Sequence, residues 1–268
     1  MSVAGAIDTP SPLVTLVIPS LNQGRFLEAA LQSIFSQGVP VEVFVQDGGS
    51  TDETAEVLRR WSPRLAGWRS GPDGGQSAAI NSGIALGGAP YVAWLNADDF
   101  YLDGGLARLT EALQAAPDAP MAYGRCWVVD EGGGKISRYP TVRFSARMLA
   151  NFCFICQPGT LMRRRAWEAV AGVDESLQMC MDYDLWWRLY RSGGAPVYVD
   201  AAVAASREHG ETKTSTRRSD HYREARQVVR RHWGRVPVKW YLAWPYKVWW
   251  LQRRNARRRT NGAAAHLR

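Results

Sequence analysis

An α/β protein, a sheet flanked by helices, is what this sequence predicts. Three observations carry the prediction. Short apolar runs rich in β-branched residues recur through the first half of the chain. Segments with apolar residues at three- and four-residue spacing alternate with them. The joints between the two are loops of Gly, Ser, Asn and Asp. Strand, loop, helix, repeated in that order, is the pattern of a parallel sheet with helical crossovers, Rossmann-like in plan.

The run 13–18, LVTLVI, reads as a buried strand and is broken by Pro19-Ser20-Leu21-Asn22-Gln23-Gly24. Phe26, Leu27, Ala30, Leu31, Ile34 and Phe35 then recur at helical spacing until Gly38-Val39-Pro40. Val41 to Val45 is the next strand. Ser50 and Glu53 stand at capping-box spacing, which predicts a helix from there to Trp61. Residues 75–86 read as a further helix and Tyr91 to Leu95 as a strand. In such sheets ligands bind at the carboxyl ends of the strands. Ser20, Asp47 and Asp98 each follow a strand and are expected along that edge.

The second half is less regular. Met121 to Val129 reads as a strand, with Lys135 to Tyr139 pairing nearby after a Gly-rich turn. Gln157 to Met162 is expected as an extended piece before a helix from Arg164 to Val170. Met181 to Arg191 reads as a helix with Leu185, Trp186 and Leu189 on the face of Asp182. Ala195 to Val199 is the last expected strand. The organisation predicted is a flexible N-terminus (1–12), one domain (13–215) and a basic, aromatic-rich helical C-terminal tail (216–268).

Charge separates the tail from the rest. The net charge is +8, yet Arg217 to Arg268 holds 15 Lys and Arg against Asp220 and Glu224, which is +13 and leaves 8 − 13 = −5 elsewhere. Basic tails point to polyanionic partners. The N-terminus lacks a basic region followed by an apolar one, so no secretory signal is expected. The longest uncharged run, Gly74 to Ala97, is interrupted by polar residues and glycines and fails as a membrane span. Cys126, Cys153, Cys156 and Cys180 are too few for a stapled fold, and Cys153-Phe154-Ile155-Cys156 has no second pair with which to make a zinc site. A nicotinamide enzyme is disfavoured because no G-x-G-x-x-G follows the first strand.

The acidic residues have two readings each. Asp47 is either a turn residue bonding its own backbone or an acceptor for a nucleotide's base or ribose. Asp98 and Asp99 are a solvated turn or the seat of Mg²⁺ or Mn²⁺, which favour carboxylate and phosphate oxygens. Asp182, in a first helical turn, complements the helix dipole or accepts a proton from an attacking hydroxyl. Asp184, two positions on, points elsewhere and is expected to be structural. His209 is a surface loop residue or a neutral metal ligand, and Lys213 is placed to meet phosphate.

Taken in order, these stretches resemble the family 2 glycosyltransferases of the GT-A fold. The resemblance covers residues 13–215 and rests on TLVIPSLNQGRFLEAALQSIFSQ, VQDGGSTDET, GPDGGQSAAINSGIALGGAPYVAWLNADD, CQPGTLMRRRAWEAVAGVDESL and MDYDLWWRL. It implies that Pro19, Ser20, Leu21, Asp47, Gln76, Asn96 and Lys213 contact the nucleotide sugar. It implies that Asp98 is the main ligand of Mg²⁺ or Mn²⁺, supported by Asp99 and His209, and that Asp182 is the catalytic base. The implied reaction is inverting transfer of a sugar from a nucleotide diphosphate to a hydroxyl of a glycan or lipid-linked acceptor in envelope or exopolysaccharide synthesis. The departures are Asn96 for the first acid of the DxD-type site, Ala78 and Ser82 where relatives often carry Asp and Lys, and Met181 where many carry Glu. These keep a second class open, a non-catalytic nucleotide-sugar or membrane-binding module that retains the fold.

Five tryptophans, Trp233, Trp240, Trp244, Trp249 and Trp250, lie among the tail's Lys and Arg, a mixture suited to the headgroup layer of a bilayer. Pro245 divides any helix there. The expectation is a cytoplasmic protein, peripheral at the inner face of the membrane. The alternative is that the aromatics dock back onto the domain. Nucleic acid is not expected as a partner, because no nucleic-acid fold signature accompanies the tail.

Overall fold

The structure, a computed structural model, describes residues 10–210, 212 and 216–244 of the 268-residue chain. Residues 1–9 of the expected flexible N-terminus lie outside it, and Pro10 to Pro12 are exposed. The alternation read from the first half is present, with one strand, β3, that is not expected from the sequence: β1 (Val14–Ser20), α1 (Gly24–Phe35), β2 (Val41–Asp47), α2 (Thr54–Trp61), β3 (Gly67–Ser70), α3 (Gln76–Leu86) and β4 (Tyr91–Trp94). Every residue of β1 is buried because helices cover both faces. Val14, Leu16 and Ile18 pack with the apolar faces of α1 and α2, while Val17 packs with Ile80 and Ile84 of α3. The approach of α3 is close. A Cβ on Gly83 would lie 2.6 Å from Val17 Cγ1, so the helix needs glycine there.

The remaining elements are β5 (Phe100–Tyr101), α4 (Gly105–Ala115), β6 (Met121–Val129), β7 (Lys135–Arg138), α5 (Ala146–Asn151), β8 (Thr160–Arg163), α6 (Arg164–Ala169), α7 (Met181–Gly193), β9 (Val197–Arg207), α8 (Arg218–Trp233) and α9 (Val238–Trp244). They complete a nine-stranded mixed sheet in the order β3-β2-β1-β4-β8-β6-β9-β5, with β7 paired to β6. β1, β2, β3 and β4 run parallel, with Ser20 opposite Asp47 and Asp47 opposite Ser70. Their carboxyl ends therefore open along one edge. β8 is antiparallel to both β4 and β6.

Three sequence expectations are corrected. The capping box of Ser50 and Glu53 does not form. The Ser50 hydroxyl donates to the Asp47 carboxylate, and Asp52 is the acceptor at the start of α2, bonding Thr54 N at 3.1 Å and, through its other oxygen, Gly24 N at 2.9 Å. Gln157–Gly159 is a 3₁₀ turn rather than extended chain, since Pro158 suits a first turn and the Gln157 side chain donates to Trp94 O at 2.8 Å. The last strand runs from Val197 to Arg207, well past Val199. Its second half, rich in alanine, is weak in strand propensity. It is drawn into the sheet by parallel pairing with β6 and antiparallel pairing with β5.

The division expected at residue 215 is not a packing boundary. Tyr222, Ala225, Val228 and Val229 of α8 and Trp240 of α9 are buried in the same core as Trp186 and Trp187 of α7. Trp240 Nε1 donates to Ala150 O at 2.8 Å, and the Tyr222 hydroxyl donates to Trp240 O. Trp233 packs on Trp187 with ring centroids 6.1 Å apart. Tyr222 and Trp240 thus follow the docking alternative, while Tyr241 is exposed. Pro245, Trp249 and Trp250 lie outside the described residues, as does everything else beyond Trp244.

Trp240→Ala is expected to destabilise the whole domain by about 3–5 kcal/mol, the range for emptying a large aromatic site. The midpoint of urea unfolding, followed by tryptophan fluorescence and by circular dichroism, measures it. A loss under about 1 kcal/mol would mean that α9 does not belong to the core.

Candidate active site

A cavity of about 600 Å³ opens at the carboxyl edge of β1 and β4. Pro19, Ser20 and Leu21 enter from the end of β1 and Gly48 from the end of β2. Gln76 enters from the start of α3, and Asn96, Ala97 and Asp98 from beyond β4. The opposite wall is Gln178, Met179, Met181 and Asp182, leading into α7, and His209 and Thr212 follow β9. The long β9 explains the last group. It carries the chain back beside β5, so that His209 arrives at Asp98 from 111 positions away and their Nε2 and Oδ2 stand 2.9 Å apart.

The four aspartates differ by environment. Asp98 keeps 19% of its side chain exposed and lines the cavity. Asp99 turns inward, accepting Arg207 N at 2.9 Å and Asn96 Nδ2 at 3.2 Å. Burial, and then the charge of Asp98, hold its carboxyl well above the usual range. It does not line the cavity, and its place beside Asp98 is compatible with the supporting part expected of it. Asp47 is buried and does not line the cavity. Its carboxylate accepts Gly49 N at 3.2 Å, Ser50 N at 3.0 Å and Ser70 Oγ at 2.5 Å, with the Ser50 hydroxyl on the other oxygen. That is the turn-shaping reading of this residue: it moulds the loop that leads to Gly48.

Asp182 lies in the first turn of α7, with Tyr183 N donating to its Oδ1 at 2.7 Å. Burial pushes its carboxyl up to about 6. Asp184 is fully buried and structural, as expected. Although burial works against it, His232 and Arg188 hold it below the usual range, at 2.7 and 2.6 Å. Gln76 and Asn96 are joined, Nε2 to Oδ1, at 2.8 Å, and Asn96 also reaches Gln157 at 3.4 Å. Ser20 Oγ is buried at the cavity without a partner among the described residues. Lys213 lies outside the described residues.

Of the residues expected to hold a divalent cation, Asp98 and His209 line the cavity. One carboxylate and one imidazole face the cavity together, and no group of three or more His, Cys, Asp or Glu side chains suited to a metal occurs among the described residues. Mg²⁺ and Mn²⁺ accept such a small protein share when phosphate and water oxygens complete the shell.

Sequence reasoning missed several lining residues: Asp73, Gln157, Gln178, Met179 and Thr212. Asp73 follows the short strand β3, of which only part is even half-buried, and Gly-Trp-Arg-Ser gives no periodic signal. Gln157 could have been suspected as a polar residue directly after an apolar run.

The family model for glycosyl transferase family 2 matches residues 15–170. Among relatives, the chondroitin synthase of Escherichia coli is 26% identical over 236 residues, covering 86% of this chain and 34% of the relative. An uncharacterized glycosyltransferase of Rickettsia prowazekii is 25% identical over 221 residues, covering 77% of this chain and 67% of the relative. The chain therefore spans about a third of the first of these and two thirds of the second. Among solved structures, S. aureus TarS 1–349 in complex with UDP-GlcNAc superposes with a TM-score of 0.65 at 16% identity, covering 81% of this chain and 65% of that one. The mannosyltransferase PcManGT from Pyrobaculum calidifontis, in complex with GDP-Man and Mn²⁺, superposes with a TM-score of 0.61 at 18% identity, covering 96% and 76%. Both share the fold.

The raised carboxyl of Asp182 has a measurable cost in stability. A folded-state value near 6 against 3.8 in the unfolded chain means the native state binds the proton more tightly. This group's contribution is full below pH 3.8 and is lost as the pH rises through about 6. Asp182→Asn carries no such charge. It should therefore exceed the wild type by about 3 kcal/mol at pH 8 and approach it below pH 4, in chemical unfolding across that range. An equal offset at both ends would show that Asp182 ionises normally.

Proposed function

Because the chain belongs to glycosyl transferase family 2, we propose that it moves a sugar from a nucleotide-diphosphate donor to an acceptor hydroxyl with inversion at the anomeric carbon. The observation that carries this reading is a single cavity bordered on one side by the Asp98–His209 pair and on the other by the desolvated carboxylate of Asp182. The nucleotide diphosphate lies along the carboxyl edge, against Pro19, Ser20, Leu21 and Gly48. Gln76 and Asn96 offer amides to the sugar or diphosphate. Asp182 takes the proton from the acceptor oxygen as that oxygen bonds to the anomeric carbon, and the sugar–oxygen bond to the diphosphate breaks on the far side. A carboxyl near 6 is ionised at neutral pH yet basic enough to help, and general-base assistance is typically worth about 10²–10⁴-fold.

Asp98 and His209 are the residues that would hold Mg²⁺ or Mn²⁺, which when bound offsets the charge of the departing diphosphate. The neighbour solved with GDP-Man and Mn²⁺ supports that reading. The acceptor proposed is a glycan or lipid-linked chain in polysaccharide or envelope synthesis, a reading supported by the chondroitin synthase relative.

The tail completes the proposal. No helix among the described residues is long and apolar enough to cross a membrane. Around α9, Val238, Tyr241 and Leu242 are 70%, 52% and 76% exposed, beside Lys239 and Arg226, and the chain continues into the basic segment 245–268. We assign this face to the inner surface of a membrane, with the protein peripheral and cytoplasmic.

Calorimetric titration with UDP, GDP, dTDP and CDP, each with and without Mn²⁺, tests the site. One nucleotide is expected to bind in a metal-dependent way, and Asp98→Ala should abolish that dependence. Asp182→Asn should bind it normally while turning over at least about 10²-fold more slowly. Absence of binding by any of the four would favour a site that has lost its chemistry.

Flotation with vesicles containing about a third phosphatidylserine tests the tail, judged against its attraction of roughly 1 kcal/mol per basic residue near such a surface. The full chain should float, and a chain ending at Trp244, which keeps the docked Trp240, should float less. Equal flotation of the two would remove 245–268 as the anchor.

A further inference from the structure

The helix that presents Asp182 starts without a cap of its own, for Cys180 precedes it and its side chain accepts nothing from the first turn. Backbone N–H groups at such a start are orphans unless an acceptor meets them. For the cap residue Cys180, and for the two residues before it, the acceptor comes from α8. Glu224 accepts Gln178 N at 3.0 Å through Oε1, and Met179 N and Cys180 N at 2.6 Å each through Oε2. Gln178 and Met179 line the cavity, so one carboxylate grips the backbone of the wall that ends in Asp182. Its negative charge also stands at the positive end of α7.

Glu224 is itself anchored. Further along α8, His232 Nε2 meets the buried Asp184 at 2.7 Å, and Arg231 reaches Asp184 at 3.3 Å and Asp174 at 3.1 Å. Between these points Val228 and Val229 are buried. α8 is thus bonded to α7 beside its first turn and to the segment leading into it, and cannot slide without breaking the grip at 178–180. None of this lies within residues 15–170, the region the family model matches.

We propose that Glu224 is a positioning residue for glycosyl transfer: by holding the backbone of Gln178, Met179 and Cys180 it aims the Asp182 carboxylate at the acceptor hydroxyl. It does not itself line the cavity. The inference rests on Asp182 being the base. Its physical basis is that a displacement of about 1 Å in a reacting group can lower a rate roughly 10²-fold.

The test uses the full chain, with Glu224→Ala and Glu224→Gln, the second keeping one acceptor oxygen and the side-chain volume. Hydrogen exchange at the amides of Met179 and Cys180 should speed by about tenfold or more in Glu224→Ala, as expected when charge-assisted bonds are lost. The Kd of the nucleotide bound by the wild type should stay within about twofold, because the hydrogen bonds of Glu224 go to the backbone of 178–180 and to none of Pro19, Ser20, Leu21 or Gly48. Release of nucleoside diphosphate from the matching nucleotide sugar, with water as acceptor, should fall about tenfold or more, Glu224→Gln lying between. The double variant with Asp182→Asn should be no slower than Asp182→Asn alone, since Glu224 acts only through that carboxylate. Additive losses, or full turnover in both Glu224 variants, overturn the positioning role. Full turnover in Asp182→Asn overturns the base assignment instead, and a wild type that binds nucleotide but turns over no matching sugar overturns the transferase reading itself.

Discussion

Everything in this protein is referred to one strand. β1 lies between β2 and β4, parallel to both, with each of its residues buried. A slip of one residue would turn Val14, Leu16 and Ile18 away from α1 and α2 and present Val17 to the wrong helix layer. The same register sets Ser20 beside Asp47 and Trp94, the end of β4, beside Val17, so the packing that stabilises the sheet also decides where Asn96 and Asp98 emerge. The cavity is a by-product of that alignment.

Much of this was legible in the residues, but unevenly. Most of the parallel half could be read because β1 and β2 are compact β-branched runs and α1 and α2 have apolar faces, whereas β3, Gly-Trp-Arg-Ser, gives no signal. β5 is two residues long and β9 is largely alanine where it matters, so both take their conformation from partners distant in sequence. The identity of the site was carried by Asp98, Asp182 and His209, which the fold brings to one cavity. Asp47 and Asp99 illustrate the opposite case. In the sequence Asp47 reads as a turn residue or a nucleotide acceptor and Asp99 as support for a metal, but whether a carboxylate faces a cavity or the loop behind it is decided by which donor groups lie nearest. Those donors, Ser50 and Ser70 for Asp47 and Arg207 for Asp99, belong to tertiary structure. Part of the tail answers to the fold for a related reason. Arginine with tryptophan looks like a membrane face, but Trp240 and Trp233 find apolar neighbours on α5 and α7 first.

The acidic residues also show how one side chain is given several chemistries. Asp47 is saturated with donors, Asp98 shares a proton-bearing or lone-pair face with His209, Asp99 is buried against a like charge, and Asp182 is desolvated with a single backbone partner. Of these four only the last combines a raised proton affinity with a face on the cavity, and its proposed part as base rests on that combination.

The order of these parts along the chain has a consequence for the birth of the molecule. Chains emerge from the ribosome N-terminus first, and their local contacts form first. Once β4 is out, β1, β2 and β3 have their partners and the nucleotide edge can be laid down. His209 and Glu224 arrive last, on segments that must reach back across the sheet to Asp98 and to Met179. A ribosome stalled in between releases a half-built sheet with a formed edge but no paired imidazole and no grip on α7. Arrested synthesis therefore yields a piece that is incomplete as a catalyst, and the cell is spared a truncated enzyme that spends its donor sugars.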